Sequence, residues 1–320
     1  MSRDWSSLPE TAELRVTEAV PLAHALDAQL AELERVRILC VKGPTAVALG
    51  VRPPRPSSDV DVLCEPGGME RLGAALETCG WRRRVPASAN SRLQHAAIYL
   101  FDHSVHYIHD EWPCDLDVHY SFPGFLAPDE QVFETLWARR AEVLIANTPV
   151  PAADLLGQAA LVGLHALRDG DTGLYATDVD HLQAVLAAMS PADKAAMGTL
   201  AGATGCSKTL HPLLDPAGVP FVAGPWNSPE TLRRWKAQTE NAGTHTTAWL
   251  IELRATPWHR KPGLVAHALW LPRKELMSTH VGAEPTWRLL TRLQAQRWLR
   301  AIRYARRGLA AARRSERPVS

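Results

Sequence analysis

No stretch of this chain is apolar enough, over enough residues, to span a membrane as a helix. The most apolar run, residues 152–167, is interrupted by Asp154, Gln158 and His165 and falls short of the roughly 20 residues a spanning helix needs. Cysteine is scarce: the five residues Cys40, Cys64, Cys79, Cys114 and Cys206 are odd in number, widely spaced and form no C-x-x-C pair. That excludes a disulfide framework and a cysteine zinc site, and predicts reduced, mostly buried thiols. Net charge is nearly absent, with 35 Lys+Arg against 34 Asp+Glu and a formal +1, so whole-chain charge selects no class of partner. No internal repeat or low-complexity tract is visible. The opening MSRDWSSLPE lacks the uninterrupted apolar core of a secretory signal, so a cytoplasmic protein is expected. What is present is a globular composition, 46% hydrophobic and 22% charged over 320 residues, enough for one large domain or two ordinary ones.

Apolar residues at helical spacing, Leu22, Ala23, Leu26, Leu30 and Leu33, predict a helix that feeds a strand over 36–41. Lys42, Gly43 and Pro44 stop that strand, and a short helix begins with Pro44 at its first position, where a missing N–H is tolerated. After the loop VRPPRPSS, the run DVDVLC reads as a strand headed by its acids, and Met69, Leu72, Leu76 and Cys79 predict a helix within 67–80. Further strands are expected over 95–101, 104–109, 114–120 and 141–146. The first two are joined by a tight hairpin at Asp102 and His103, and the last closes a mixed sheet. The expected class is α+β: a lead-in over 1–19, a sheet domain with flanking helices over 20–150, and a mostly helical domain over 151–320. Seven of the eleven tryptophans, Trp226 to Trp298, lie in that second half and are expected to anchor it.

Asp59 and Asp61 stand two apart at the head of a strand, and Asp115 and Asp117 repeat the pattern on another. Residues two apart on a strand share a face. If the strands are neighbours, three carboxylates converge, and two charges at 4 Å repel by about 4 kcal/mol at an effective dielectric near 20. Such a cluster calls for a cation, and Mg²⁺ is the hard ion that joins carboxylates to substrate phosphates. Upstream, Gly43 permits close backbone approach, the helix opening at Pro44 offers unpaired N–H groups to a triphosphate, and Lys42 and Arg55 supply positive charge.

The stretch VRILCVKGPTAVALGVRPPRPSSDVDVLC resembles the signature of the polymerase β nucleotidyltransferase superfamily, a Gly turn followed by a strand bearing D-x-D. It is closest in pattern to bacterial nucleotidyltransferase family proteins, which read L-K-G, then R-P-x-x-D-[IV]-D-[LV]-L, then V-D-[LV]-H-[WY]. Here those are Val41-Lys42-Gly43, Arg55 to Leu63, and Leu116-Asp117-Val118-His119-Tyr120. The run LLGQAALVGLHAL with DVDHLQAVL also resembles that group, and the likeness fades beyond Leu186. The resemblance implies a nucleotidyltransferase-like fold and transfer of a nucleoside monophosphate from a triphosphate to an acceptor, with two Mg²⁺ ions, or Mn²⁺ in their place. It assigns Asp59, Asp61 and Asp117 as metal ligands and catalytic carboxylates, Asp117 rather than Asp115 because His119 follows it by two. Nucleotide contacts fall to Lys42, Gly43, Thr45, Arg55 and Ser58. His119, His165 and Asp180 are expected to orient the carboxylates or face the acceptor. Many superfamily members carry Ser after the Gly; this chain has Pro44, then Thr45.

Other readings stay open from the residues alone. The fold is also compatible with a catalytically weak protein that binds nucleotide or a protein partner, or with a toxin-like transferase that modifies RNA. A dehalogenase-type D-x-D fits poorly, because Asp59 follows a Pro-rich loop. His103, His106, His109 and Cys114 suit zinc badly, since a spacing of three alternates faces on a strand. Residues 287–320 hold ten Arg against one acid, +9, which leaves −8 on the rest. That segment is either a terminal helix docked on acidic neighbours or a basic amphipathic helix for an anionic partner such as nucleic acid, phosphate or a charged surface.

Overall fold

A computed structural model describes residues 15–84, 103–169, 173–226, 257–271 and 284–314, with isolated positions between. The strands are β1 Ile38–Cys40, β2 Asp59–Cys64, β3 Arg82–Arg83, β4 Ser104–Ile108, β5 Asp115–His119, β6 Ala141–Ile145 and β7 Thr148–Ala152. They form one mixed sheet in the order β3-β4-β5-β2-β1-β7-β6. The fold is α+β: helices α1 Val16–Leu33, α2 Gly43–Ala48, α3 Met69–Thr78 and α4 Asp129–Ala138 flank the sheet. A helical half follows in α5 Leu155–Asp169, α6 Gly173–Ala188, α7 Pro191–Thr204, α8 His211–Leu214, α9 Lys261–Leu269 and α10 Trp287–Arg314. Among the described residues no helix is long and apolar enough to cross a membrane. The strand expected over 95–101 and its hairpin at Asp102 lie outside the described residues.

One face of the sheet, with Val60, Val62, Leu116 and Val118, is buried against α1 and α3. Leucine spacing places Leu22, Leu26 and Leu33 of α1 inward, yet all three are exposed. The buried face is instead Ala19, Val20, Ala23, Ala28 and Ala31, with His24 and Asp27 among them. Small side chains let the helix axis approach the sheet, and the larger stripe is turned out. The strand expected to close the sheet, β6, is followed by β7, so the expected boundary at 150 falls inside a strand. Pro149 and Pro151 lack donors, yet β7 lies between β6 and β1. It meets β1 only at the pair Cys40↔Ala152, and Ala153, of the same parity as the prolines, donates its N–H to the Cys40 carbonyl. The proline nitrogens therefore lie on the β1 side, and the β7 donors that face β6 are all non-proline, so the ladder with β6 is intact.

Tryptophan anchors less of the second half than expected. Trp235 is buried, and Trp226 donates to the Ala203 carbonyl at 3.1 Å. Trp258, Trp270 and Trp287 are exposed. Aliphatic side chains do the anchoring instead, with Leu156, Leu161, Leu182, Leu186 and Leu213 in one core that also contains Leu39 and Val41 of the sheet.

Candidate active site

β2 and β5 are parallel neighbours in register, Asp59 opposite Asp115 and Asp61 opposite Asp117. Alternation sends the intervening Val60 and Leu116 into the core and the acids to the opposite face. Asp115 is paired with Arg84 at 2.9 Å. Asp61, Asp117 and His119 instead offer ligand atoms that all lie within 4.8 Å of one another, a group able to hold a metal ion. Asp59 lies outside that trio, held by Ser57 at 3.4 Å, at the rim of the same face.

Asp61 is the electrostatic centre. Burial pushes its carboxyl up, but the Lys42 ammonium at 2.5 Å and the His119 Nε2 hydrogen bond at 2.9 Å outweigh burial and hold it well below the usual carboxylate range. Burial also raises Asp59, reinforced by the Asp61 charge beside it. The two carboxylates thus differ in proton affinity because only one has a cation against it. Burial lowers His119 despite Asp61, so the imidazole is neutral near pH 7. His106, opposite Asp117 across β4 and β5, contacts its Oδ1, and that contact raises His106. His103 stacks on His119 with centroids 5.4 Å apart, and His109 packs on Trp81. The three histidines thus serve three different neighbours.

Lys42 reaches Asp61 from a strained turn. It has φ +53, in the left-handed region, and Gly43 follows at +41. Gln158 of α5 pins this turn: it accepts from the Lys42 N–H at 2.8 Å and donates to the Cys40 carbonyl at 3.0 Å and to Thr45 Oγ1 at 3.1 Å. Thr45 Oγ1 donates back to the Lys42 carbonyl. Thr45, for which a nucleotide contact is expected, is fully buried, and its hydroxyl is engaged in the turn. Gly43 is tightly placed as well, since a Cβ there would meet Ser57 Oγ at 3.3 Å and His24 Nε2 at 3.7 Å.

Beside the carboxylates opens a cavity of about 390 Å³, walled by Lys42, Ser58, Asp59 and Asp61 on one side and by Arg52 and Arg55 on another. Val162 and His165 of α5 and Asp178 of α6 complete it. Burial, then Lys42 and Arg168, push His165 well below its usual range, so it presents a neutral ring. The expected Asp180 is exposed. Asp178 faces the cavity instead, with Arg55 Nη2 at 2.7 Å and Arg52 Nε at 3.6 Å from the same oxygen. The signal for this was present in the sequence: Asp178 continues the Leu182 and Leu186 stripe at intervals of four, and Asp180 does not. Arg52, three before Arg55 in the Pro-rich loop, was missed for want of a periodic element.

No protein-family model and no curated protein matches the chain. Among solved structures, it is similar to the antibiotic-resistance factor ANT(2'')-Ia at 15% identity over 63% of this chain and 97% of that one, with a TM-score of 0.39. It is also similar to the lincosamide antibiotic adenylyltransferase LnuA, bound to lincomycin, at 18% identity over 52% and 96%, with a TM-score of 0.35. At these values the likeness is one of outline, and the functional reading rests on the residues of the site itself.

Proposed function

We propose that this chain is a metal-dependent nucleotidyltransferase that moves a nucleoside monophosphate from a triphosphate to an acceptor and releases pyrophosphate. The observation that carries the reading is the parallel register of β2 and β5, which sets Asp61 beside Asp117, with Asp61 lining a cavity that two arginines also line. The donor set fits a divalent cation. Two carboxylates and an imidazole converge, those of Asp61, Asp117 and His119. Asp59, Asp61 and Asp117 would hold Mg²⁺ or Mn²⁺, which when bound polarises the α-phosphate and lowers the proton affinity of the acceptor.

The chain's own residues do the rest. Arg52 and Arg55 face the triphosphate and neutralise the charge that develops on the leaving pyrophosphate. Asp178, buried against both, fixes their direction. His119 holds the Asp61 carboxylate in one orientation, and neutral His165 lines the cavity without adding charge. Lys42 keeps Asp61 ionised when no phosphate is bound.

The test is transfer of label from each of the four α-labelled ribonucleoside triphosphates into a lysate of the source cell, with Mg²⁺ or Mn²⁺, by wild type and by Asp61→Asn. Label in one fraction with wild type, and a loss of at least about 10³-fold in the variant, is the expected outcome. A second reading, a nucleotide-binding protein without transfer, is favoured by the Lys42–Asp61 pair, which already occupies a carboxylate oxygen. Metal-dependent nucleotide binding lost in Asp61→Asn, with no label moved by wild type, would select it. Binding in neither protein would end both.

A further inference from the structure

The exposed surface of α10 carries two properties at once. On a helix of 3.6 residues per turn Trp287, Trp298 and Ile302 fall within about 60° of one another, and Arg288, Leu299 and Arg292 fill roughly the next 80°. Trp287 is 71% exposed, Leu299 68% and Ile302 72%. Arg288 and Arg292 are exposed as well. The helix is held along the flank that adjoins this strip, where Leu293 and Gln294 are buried, Gln294 about 20° round from Trp287, and Gln294 donates to the Leu269 carbonyl at 2.7 Å. Trp298 donates to the same carbonyl, and its ring lies 6.0 Å from that of Trp270. Trp270 and Leu269 are themselves exposed, so the apolar strip of α10 continues onto α9.

We infer that this strip docks on an anionic lipid bilayer, with α10 lying in the plane of the interface. The charge selects the sign of the surface: residues 287–320 carry +9 and the remainder of the chain −8. A negative surface therefore attracts this end and repels the rest, which orients the molecule. The same charge argues against a second copy of the helix as the occupant, because two such segments repel. A nucleic acid would account for the arginines and for stacking on tryptophan, but it leaves Leu269, Leu299 and Ile302 facing water. A bilayer interface accommodates all three residue types. Tryptophan rings sit at headgroup depth, aliphatic side chains reach the acyl boundary, and arginines meet lipid phosphate.

The full-length protein would be sedimented with phosphatidylcholine vesicles and with vesicles that also contain phosphatidylglycerol. Binding to the second kind alone, weakening as salt rises, is expected. Replacing Arg288 and Arg292 by Gln should weaken it roughly fivefold per residue. The double variant Leu299→Glu/Ile302→Glu should abolish it, and because both side chains face water its thermal unfolding should match wild type. Equal binding to both vesicle types, no binding to either, or binding retained by the Glu variant would overturn the inference. So would retention of a single-stranded RNA oligomer by a protein that ignores vesicles, which would assign the strip to nucleic acid.

Discussion

Two residues inside α1 carry an opposed pair of proton equilibria. His24 and Asp27 are both buried, and none of their side-chain polar atoms has a hydrogen-bond partner. Burial pushes Asp27 up to about 7 from an ordinary 3.8, and pushes His24 down to about 4 from 6.5. As pH rises from about 4 to about 7, unfolded chains release the Asp27 proton that folded chains keep, so this residue makes stability fall. From about 4 to about 6.5, unfolded chains carry a proton on His24 that folded chains lack, so this residue makes stability rise. The two slopes offset, each worth about 3–4 kcal/mol across its window. Asp27→Asn should leave stability climbing with pH up to about 6.5 and higher than wild type above about 7. His24→Gln should leave it falling toward neutrality. Denaturant midpoints at several pH values read both. Neither residue stands out in the sequence, because leucine spacing points the helix the other way. Asp59, Asp61 and Asp117, by contrast, were legible, since strand alternation alone puts each pair on one face.

At the scale of elements, the contact that organises the site is α5 against the β1–α2 turn. Gln158 satisfies two backbone groups and a hydroxyl there without exposure to water. Gln158→Leu keeps the volume and strands the Lys42 N–H and the Cys40 carbonyl, each costing about 1–3 kcal/mol when buried and unpaired. The expected outcome is a stability loss of roughly 2–5 kcal/mol in denaturant titration. Strands with clear alternation or an apolar run, such as 59–64, 115–119 and 141–145, could be read directly from the sequence. β3 is only two residues, both arginine, and has no period to read. β7 carries two prolines that argue against a strand, and they are tolerated because their nitrogens face away from the β6 ladder. Asp178, by contrast, is selected over Asp180 by the stripe it shares with Leu182 and Leu186 at intervals of four.

The whole molecule has a core that ignores the change of character at the prolines. Leu39, Val41, Phe122, Phe133 and Leu136 from the sheet half are buried with Leu156, Leu161, Leu164, Leu182 and Leu213 from the helical half. Fully burying one such side chain contributes about 1.5–3 kcal/mol. Baring five of them therefore costs roughly 8–15 kcal/mol, as much as a typical domain's entire stability. The site has the same dependence: one wall of its cavity is β2, and the other is Val162, His165 and Asp178. Residues 1–152 alone should thus show no cooperative urea transition and should bind apolar dye. Residues 1–240, which keep α5 to α8 and the core tryptophan Trp235, should unfold in one cooperative transition. A cooperative transition in the shorter piece would mean that the core formed by Leu39 of the sheet and Phe133 of α4 can close over itself. The helices would then be a separable unit, and Asp178 could move away from the arginines and carboxylates that the sheet half keeps.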